Sequence, residues 1–167
     1  MGNKIKGSLE KIYTPDELIR HMFNLLQEHH TEPITEFLEP CAGSGHIIDM
    51  LRSEFNIPII AFDIFNETSR PDIHQVNFLT YPIAYKPGRV TIMNPPFTNA
   101  TKFIKKCAEI SDFVITVSSI NSFINIDYEK LDVKKIDIFK KYKFCDDNKY
   151  DICVIAYKLK ERSNGLF

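Results

Sequence analysis

Residues 89–97 read Arg-Val-Thr-Ile-Met-Asn-Pro-Pro-Phe. The first five form an apolar strand pattern, and the two prolines cannot continue it, because a proline offers no N–H to a ladder. The chain must leave its sheet at Asn94. In an open α/β sheet, ligands bind in the crevice outside the C-terminal ends of the central strands, at the point where strand order reverses. This stretch therefore sets both a fold constraint and a place to look for a site.

The surrounding periodicities agree. Thr14-Pro15-Asp16-Glu17 reads as a helix opening, with Thr14 as N-cap, Pro15 as first helical residue and Glu17 as capping-box partner. Leu18, Met22, Leu25 and Leu26 follow on one face, through about His29. Residues 36–39 make a short strand that runs into a glycine loop, and Ile47, Ile48, Leu51 and Phe55 mark the buried stripe of the next helix. Strands are expected at 58–62, around 74–79, at 89–93 and at 113–117, with a helix at 98–110. Residues 136–144 and 151–158 alternate apolar and polar about a polar turn at 145–150, a hairpin signature. The architecture is α/β: a doubly wound, mostly parallel sheet closed by an antiparallel C-terminal hairpin. A length of 167 residues suits one domain.

The loop Glu39-Pro40-Cys41-Ala42-Gly43-Ser44-Gly45 joins a strand to a helix, the layout that brings backbone N–H groups against a ligand. Its spacing is G-x-G with no following Lys-Ser/Thr, which disfavours phosphate binding of the Walker kind. Glu39 would repel a pyrophosphate and welcome a cationic amino acid moiety. Gly-Ser-Gly alone is also compatible with a plain turn. Asp63, about 20 residues on at the end of the next strand, can accept two hydrogen bonds from a ribose diol; as a bare N-cap it would look the same. Together the two features point to a nucleoside-containing cofactor.

Asn94-Pro95-Pro96-Phe97 adds chemistry. The exocyclic amine of a purine is a poor nucleophile, since its lone pair is delocalised into the ring. The Asn94 side-chain carbonyl and the Pro95 backbone carbonyl can accept hydrogen bonds from such an amine and favour a more tetrahedral nitrogen. Pro96 stiffens the arrangement, and Phe97 offers a flat face for a base removed from its strand.

This ordered set resembles the amino-methyltransferase group of the Rossmann-like S-adenosylmethionine (AdoMet) methyltransferases, and is most similar to the adenine-N6 enzymes. The resemblance implies a class I methyltransferase-like sheet of seven strands in the order 3-2-1-4-5-7-6, strand 7 antiparallel. It implies one domain over 1–167, with the motifs in 12–118 and the hairpin region in 119–167. Tyr13 and Thr14, within Tyr13-Thr14-Pro15, look like the segment that contacts the carboxylate end of AdoMet. Glu39, Pro40, Cys41, Ala42, Gly43 and Gly45 match the glycine loop, and Asp63 the ribose position. Asn77-Phe78-Leu79 falls at the adenine-binding motif, where Asn77 departs from the usual Asp. Asn94, Pro95, Pro96 and Phe97 match the catalytic motif unchanged, with Asn94 also near the methionine end. The implied activity is AdoMet-dependent N6 methylation of adenine in DNA or RNA. Two alternatives stand beside it: methylation of a protein glutamine at N5, in relatives that usually carry Tyr at the fourth position, and a non-catalytic AdoMet-binding or partner-binding subunit.

A net charge of −1 and a pI near 6.5 argue against gripping nucleic acid by overall electrostatics. Local clusters remain: Lys102, Lys105 and Lys106 on one helix, then Lys134, Lys135, Lys140, Lys141 and Lys143. They read either as solvated faces or as phosphate contacts, and a recognition subunit is a possible partner. Adjacent His29 and His30 read as a polar helix end, His46 as an ordinary exposed or half-buried residue, and no metal constellation is visible. Cys41, Cys107, Cys145 and Cys153 show no paired spacing, as in reduced intracellular proteins. The opening MGNKIKGSLEK has no apolar run, and Lys6 stands where a myristoylation signal has Ser or Thr. A cytoplasmic protein without membrane spans is expected.

Overall fold

Every residue of the strand Arg89–Met93 is buried, so it must have a strand on each side and a layer on each face. The computed structural model describes residues 13–144 and 148–162. The readings at 1–12, the turn residues 145–147 with Cys145, and the last five residues lie outside the described residues. In chain order the elements are α1 (Asp16–His29), β1 (Glu36–Glu39), α2 (His46–Glu54), β2 (Ile59–Asp63), β3 (Ile73–Gln75) and β4 (Arg89–Met93). A 3-10 turn (Phe97–Asn99) leads into α3 (Ala100–Ile110), followed by β5 (Phe113–Ser119), α4 (Ile120–Ile124), β6 (Leu131–Lys143) and β7 (Lys149–Leu159). The sheet has seven strands in the order β3-β2-β1-β4-β5-β7-β6. β1 to β5 pair in parallel, and β7 is antiparallel to both β5 and β6. This is the order and the antiparallel strand expected from the motifs.

Strand alternation sends side chains to two cores. Phe37, Val90, Ile92, Ile115 and Val154 meet Leu18, Met22 and Leu26 of α1 and Leu51 of α2 on one face. Leu38, Met93, Val114, Ile155 and Tyr157 meet Phe103, Ile104 and Cys107 of α3 on the other. The Tyr157 hydroxyl, fully buried, donates to the Ile104 carbonyl at 3.0 Å, as a buried phenol must.

Several expectations need correction. Thr14 does not cap α1: Pro15 holds the N-cap place with no side-chain cap, and Glu17 accepts a bond from the Tyr142 hydroxyl at 3.0 Å. β3 is three residues long because Asn77 turns the chain, its Oδ1 accepting the Leu79 N–H at 3.1 Å. The helix expected at 98–110 opens with the 3-10 turn, so α3 starts at Ala100. α4 was not anticipated; Ser119 caps it by accepting the Ser122 N–H at 3.1 Å. β7 does not alternate, since Ile152 to Tyr157 are all buried between β5 and β6. His29 and His30 do end α1, His29 as its last residue and His30 as its C-cap, but the His30 side chain is only 6% exposed. Its ring lies 5.2 Å from that of Phe113, and burial pushes its pKa down. Among the described residues, no helix is long and apolar enough to cross a membrane.

The interior place of β7 and the edge place of β6 give opposite expectations for similar substitutions. Ile155→Ala, at 1% exposure, should cost about 2–5 kcal/mol through the cavity it leaves. Ile138→Ala, at 57% exposure, should stay within about 0.5 kcal/mol. Urea unfolding of both variants checks this, and equal losses would contradict the assigned strand positions.

Candidate functional site

The glycine loop follows β1 and is held from several sides. Ala42 N–H donates to the Phe62 carbonyl at 2.8 Å, and Gly45 N–H closes a turn on the Ala42 carbonyl at 2.8 Å. Asp63, at the end of β2, accepts the Gly43 N–H on Oδ2 at 2.7 Å and the Phe65 N–H on Oδ1 at 2.8 Å. Gly43 and Gly45 both have left-handed backbones, with φ of 56° and 88°, which favour glycine. Their reasons differ. A Cβ on Gly43 would meet nothing within 4 Å, whereas one on Gly45 would lie 2.3 Å from Arg70 Nη1.

Arg70 was not anticipated by sequence. Its guanidinium donates to the Ser44 carbonyl at 3.3 Å and to both Asp49 oxygens at 2.9 and 2.8 Å. It also donates to both oxygens of Asp72, which its hydrogen bonds hold well below the usual carboxylate range. This network fixes the start of α2 behind the loop.

Beneath the loop lies Glu39, 1% exposed. Its Oε1 accepts the Cys41 N–H at 3.1 Å and the Cys41 thiol at 3.5 Å, while Oε2 has no partner among the described residues. Burial pushes the Glu39 carboxyl up to about 8, against the pull of the Cys41 hydrogen bonds. Burial, with Glu39 beside it, also raises the Cys41 thiol well above its ordinary value. A thiol so placed is a packing group rather than a nucleophile.

Asn94 follows β4 directly, and its Nδ2 donates to Thr14 Oγ1 at 2.9 Å. Pro95 is buried, and the Pro96 carbonyl accepts the Asn99 N–H at 3.0 Å. The half-buried Phe97 receives the Ser122 hydroxyl on its carbonyl at 3.0 Å. Its ring centroid lies 6.0 Å from Tyr150 and 6.3 Å from Phe144, both from the C-terminal hairpin.

Between the two loops opens a cleft of about 1220 Å³ including its mouth. Pro40, Cys41, Gly43 and Asp63 line one wall, and Asn94, Pro95, Pro96 and Phe97 the other. Asn77, Phe78 and Tyr13 complete it. A shallow side recess adds Thr14 and Ala42, with Tyr13 and Asn94 shared. Of the expected site residues, Glu39 and Gly45 do not line either space: one lies below the loop, the other behind it under Arg70. The cleft also takes Ile64, Phe65 and Phe103, which sequence reading missed. The apolar pair directly after Asp63, 49% and 45% exposed, was a legible signal.

Phe78 is itself buried, stacked 5.8 Å from Phe103 with Lys106 Nζ 4.6 Å over its ring. Lys106 also donates to the Phe78 and Tyr81 carbonyls. Its charge is therefore spent on holding the Asn77 turn, which removes it from the phosphate-contact candidates. Lys134 and Lys135 are paired with Asp132 and Asp137 at 2.6 and 3.6 Å. Lys102, Lys105, Lys140, Lys141 and Lys143 are exposed.

No family model matches the sequence, and no curated protein matches it. Solved structures are similar in fold. A modification subunit of a putative type I restriction enzyme from Vibrio vulnificus matches with a TM-score of 0.70 and 14% identity, over 94% of this chain and 46% of that one. N-methyltransferase NodS from Bradyrhizobium japonicum, in complex with S-adenosyl-L-homocysteine, matches with a TM-score of 0.65 and 11% identity, over 94% and 90% of the two chains. The 23S rRNA methyltransferase ErmE matches with a TM-score of 0.60 and 14% identity, over 91% and 71%. This chain spans about half the length of the restriction subunit. The seven-stranded sheet with antiparallel β7 is the class I methyltransferase fold.

The buried Glu39 carboxyl leaves a signature in stability. Its pKa in the fold, about 8, lies above the ordinary 4.5, so the folded protein keeps a proton that the unfolded chain releases. That contribution is complete below pH 4.5, falls as pH rises and is lost through about pH 8. Glu39→Gln removes the slope, so the variant should gain on wild type across that window. Melting temperatures of both from pH 4.5 to 9 are the measurement; parallel profiles would mean the carboxyl is not desolvated.

Proposed function

We propose that this chain is an AdoMet-dependent adenine-N6 methyltransferase acting on nucleic acid, DNA or RNA. The observation that carries the reading is Asn94-Pro95-Pro96-Phe97 at the end of β4, opening into the same cleft as the glycine loop and Asp63. AdoMet, when bound, supplies an electrophilic sulfonium methyl. Features of the cleft suit that molecule. The unpartnered Glu39 Oε2 beneath the loop fits a cationic ammonium, and the open space before Gly43 admits a ligand against the backbone. Asp63 takes two N–H groups, and an ionised carboxylate has capacity for about four, so a ribose diol can still be accepted. Tyr13, Thr14, Pro40, Cys41 and Ala42 would line the methionine end, with Asn77, Phe78 and the exposed Ile64 and Phe65 toward the adenine.

On the substrate side, Asn94 Oδ1 and the Pro95 carbonyl hold the target amine through its hydrogens, aligning its nitrogen for in-line attack. Pro96 keeps that backbone from relaxing. Phe97, backed by the Phe144 and Tyr150 rings, offers its face to a flipped base. That aromatic wall favours a planar base over a glutamine side chain. Target recognition then falls to a partner subunit or to the structure of the nucleic acid itself, with exposed Lys102, Lys105, Lys140, Lys141 and Lys143 as the phosphate contacts. Replacing those five should flatten the salt dependence of binding by roughly one unit of slope per lost contact.

The direct test is transfer of labelled methyl from AdoMet to DNA, RNA and protein pools, followed by nucleoside and amino-acid analysis, beside AdoMet titration. N6-methyladenine is expected. Asn94→Ala should lose about a hundredfold to a thousandfold in turnover, and Phe97→Ala about 1–3 kcal/mol of base stacking. AdoMet at a hundred times its dissociation constant should stabilise the fold by about 2.7 kcal/mol. Methylglutamine as the product would replace adenine as the target. AdoMet binding without transfer to any pool would make the chain a binding subunit, and no binding at all would overturn the reading.

A further inference from the structure

We infer that Arg70 is a positioning residue for cofactor binding, joining the glycine loop to the loop between β2 and β3 so that the cleft keeps its shape there. The inference rests on the reading of this end of the cleft as the AdoMet site. Two separate stretches of chain build it. The glycine loop gives Gly43 and Ser44, and the β2–β3 loop gives Ile64, Phe65, Glu67 and Thr68. Strand pairing brings the roots of both loops together, since Glu39 is opposite Ala61, and Asp63 ties down the Gly43 N–H. Farther from the sheet, Arg70 spans from one loop to the other.

Arg70 does so with the whole fork of its guanidinium. Nε and Nη2 grip Asp72 at 3.0 and 2.8 Å, while Nη2 and Nη1 grip Asp49 at 2.8 and 2.9 Å. Nη1 also donates to the Ser44 carbonyl at 3.3 Å. A planar fork that meets two carboxylates in bidentate fashion is fixed both in place and in plane. Asp49 belongs to the first turn of α2, and Asp72 is itself held by Arg52 at 2.6 Å. The backbone that delivers Arg70 is tightly folded. Asn66 brackets it, accepting the Arg70 N–H on Oδ1 at 3.0 Å and donating from Nδ2 to the Arg70 carbonyl at 2.7 Å. Ser69, just before, has a φ of 51°, a left-handed backbone that a serine adopts at a cost. Gly45 meets the same guanidinium from the other side. A Cβ there would lie 2.3 Å from Nη1 and 2.5 Å from Cζ, and a fork held by two carboxylates cannot swing clear. Without Arg70 each loop keeps its own turn, and the spacing that admits the cofactor becomes one arrangement among several. Affinity then falls by the fraction of molecules that hold it, whereas a cofactor already bound meets an unaltered proline loop.

The test is AdoMet titration by calorimetry, well below the melting temperature of each variant, beside methyl transfer at saturating AdoMet. Arg70→Ala should weaken AdoMet binding about tenfold, as when about one molecule in ten holds the competent arrangement, with kcat within about twofold of wild type. Arg70→Lys keeps the charge without the fork and should not restore wild-type affinity. Asp49→Asn keeps the side-chain shape, should weaken AdoMet in the same direction, and carries the test if Arg70→Ala does not fold. Gly45→Ala should cost less affinity in the Arg70→Ala background than in wild type, because only the strain of its positive φ remains. In the empty protein, Arg70→Ala should speed amide hydrogen exchange over residues 43–46 and 65–70 and leave β4 and β5 unchanged. Wild-type affinity in both Arg70→Ala and Asp49→Asn, a loss of kcat with affinity intact, or strictly additive effects at positions 45 and 70 would overturn the inference. If wild type binds no AdoMet, the proposed function falls and the cofactor role of Arg70 with it, and hydrogen exchange alone decides whether Arg70 joins the two loops.

Discussion

Parallel pairing is the constraint on which the rest of this molecule depends. Five strands pair in one direction, so five C-terminal ends arrive at one edge of the sheet. Register makes the edge nearly level: Glu39 is opposite Ala61, and Asp63 opposite Gln75. Four of the five, β1 to β4, then give their next residues to the cleft. β1 gives the glycine loop, β2 gives Asp63 and the apolar pair after it, β3 gives the Asn77 turn, and β4 gives the proline loop. The cleft is thus a property of the topology before it is a property of any side chain.

What the side chains add is rigidity, and much of it is purchased against stability. Asp63 and Arg70 tie down a loop whose two glycines sit at positive φ. Glu39 is buried with one oxygen unpartnered, an arrangement no fold needs for its own sake. Uncompensated polar burial is where stability and ligand binding can pull apart. A cationic ligand would repair the Glu39 defect. The same residue therefore weakens the empty fold and would strengthen the occupied one.

Sequence made the central strands and both loops legible, because each is a local pattern. Residues 36–39 and 89–93 emerge with the expected bounds, and the motif residues converge on one cleft save Glu39 and Gly45. The misreadings share a cause: they depend on neighbours distant in sequence. Thr14 looked like an N-cap because nothing local reveals that Asn94 lies beside it. Lys106 looked like surface charge because the carbonyls it binds belong to residues 78 and 81. β7 looked half-exposed because alternation cannot show that β6 lies outside it. Arg70 carries no motif at all; its meaning is entirely in the two acidic residues it clamps.

The antiparallel strand has a consequence for the site as well as for the sheet. β7 runs opposite to β5, with Ile152 near its start beside Ser119 at the end of β5. β6 pairs antiparallel with β7, so it runs in the same direction as β5 and ends on the same edge. The hairpin end must therefore lie at the functional edge and not at the opposite one. That is what carries Phe144 and Tyr150 to the ring of Phe97, and Tyr142 to Glu17 in the first turn of α1. A fully parallel sheet would have needed a crossover helix there and would have left Phe97 without aromatic backing. α1 reaches the same edge from the other side of the chain, through Thr14 on Asn94 and Asp16 on His46. The N-terminal turn and the β6–β7 hairpin end thus meet around the proline loop, each holding a different part of it: the turn its amide, the hairpin its ring.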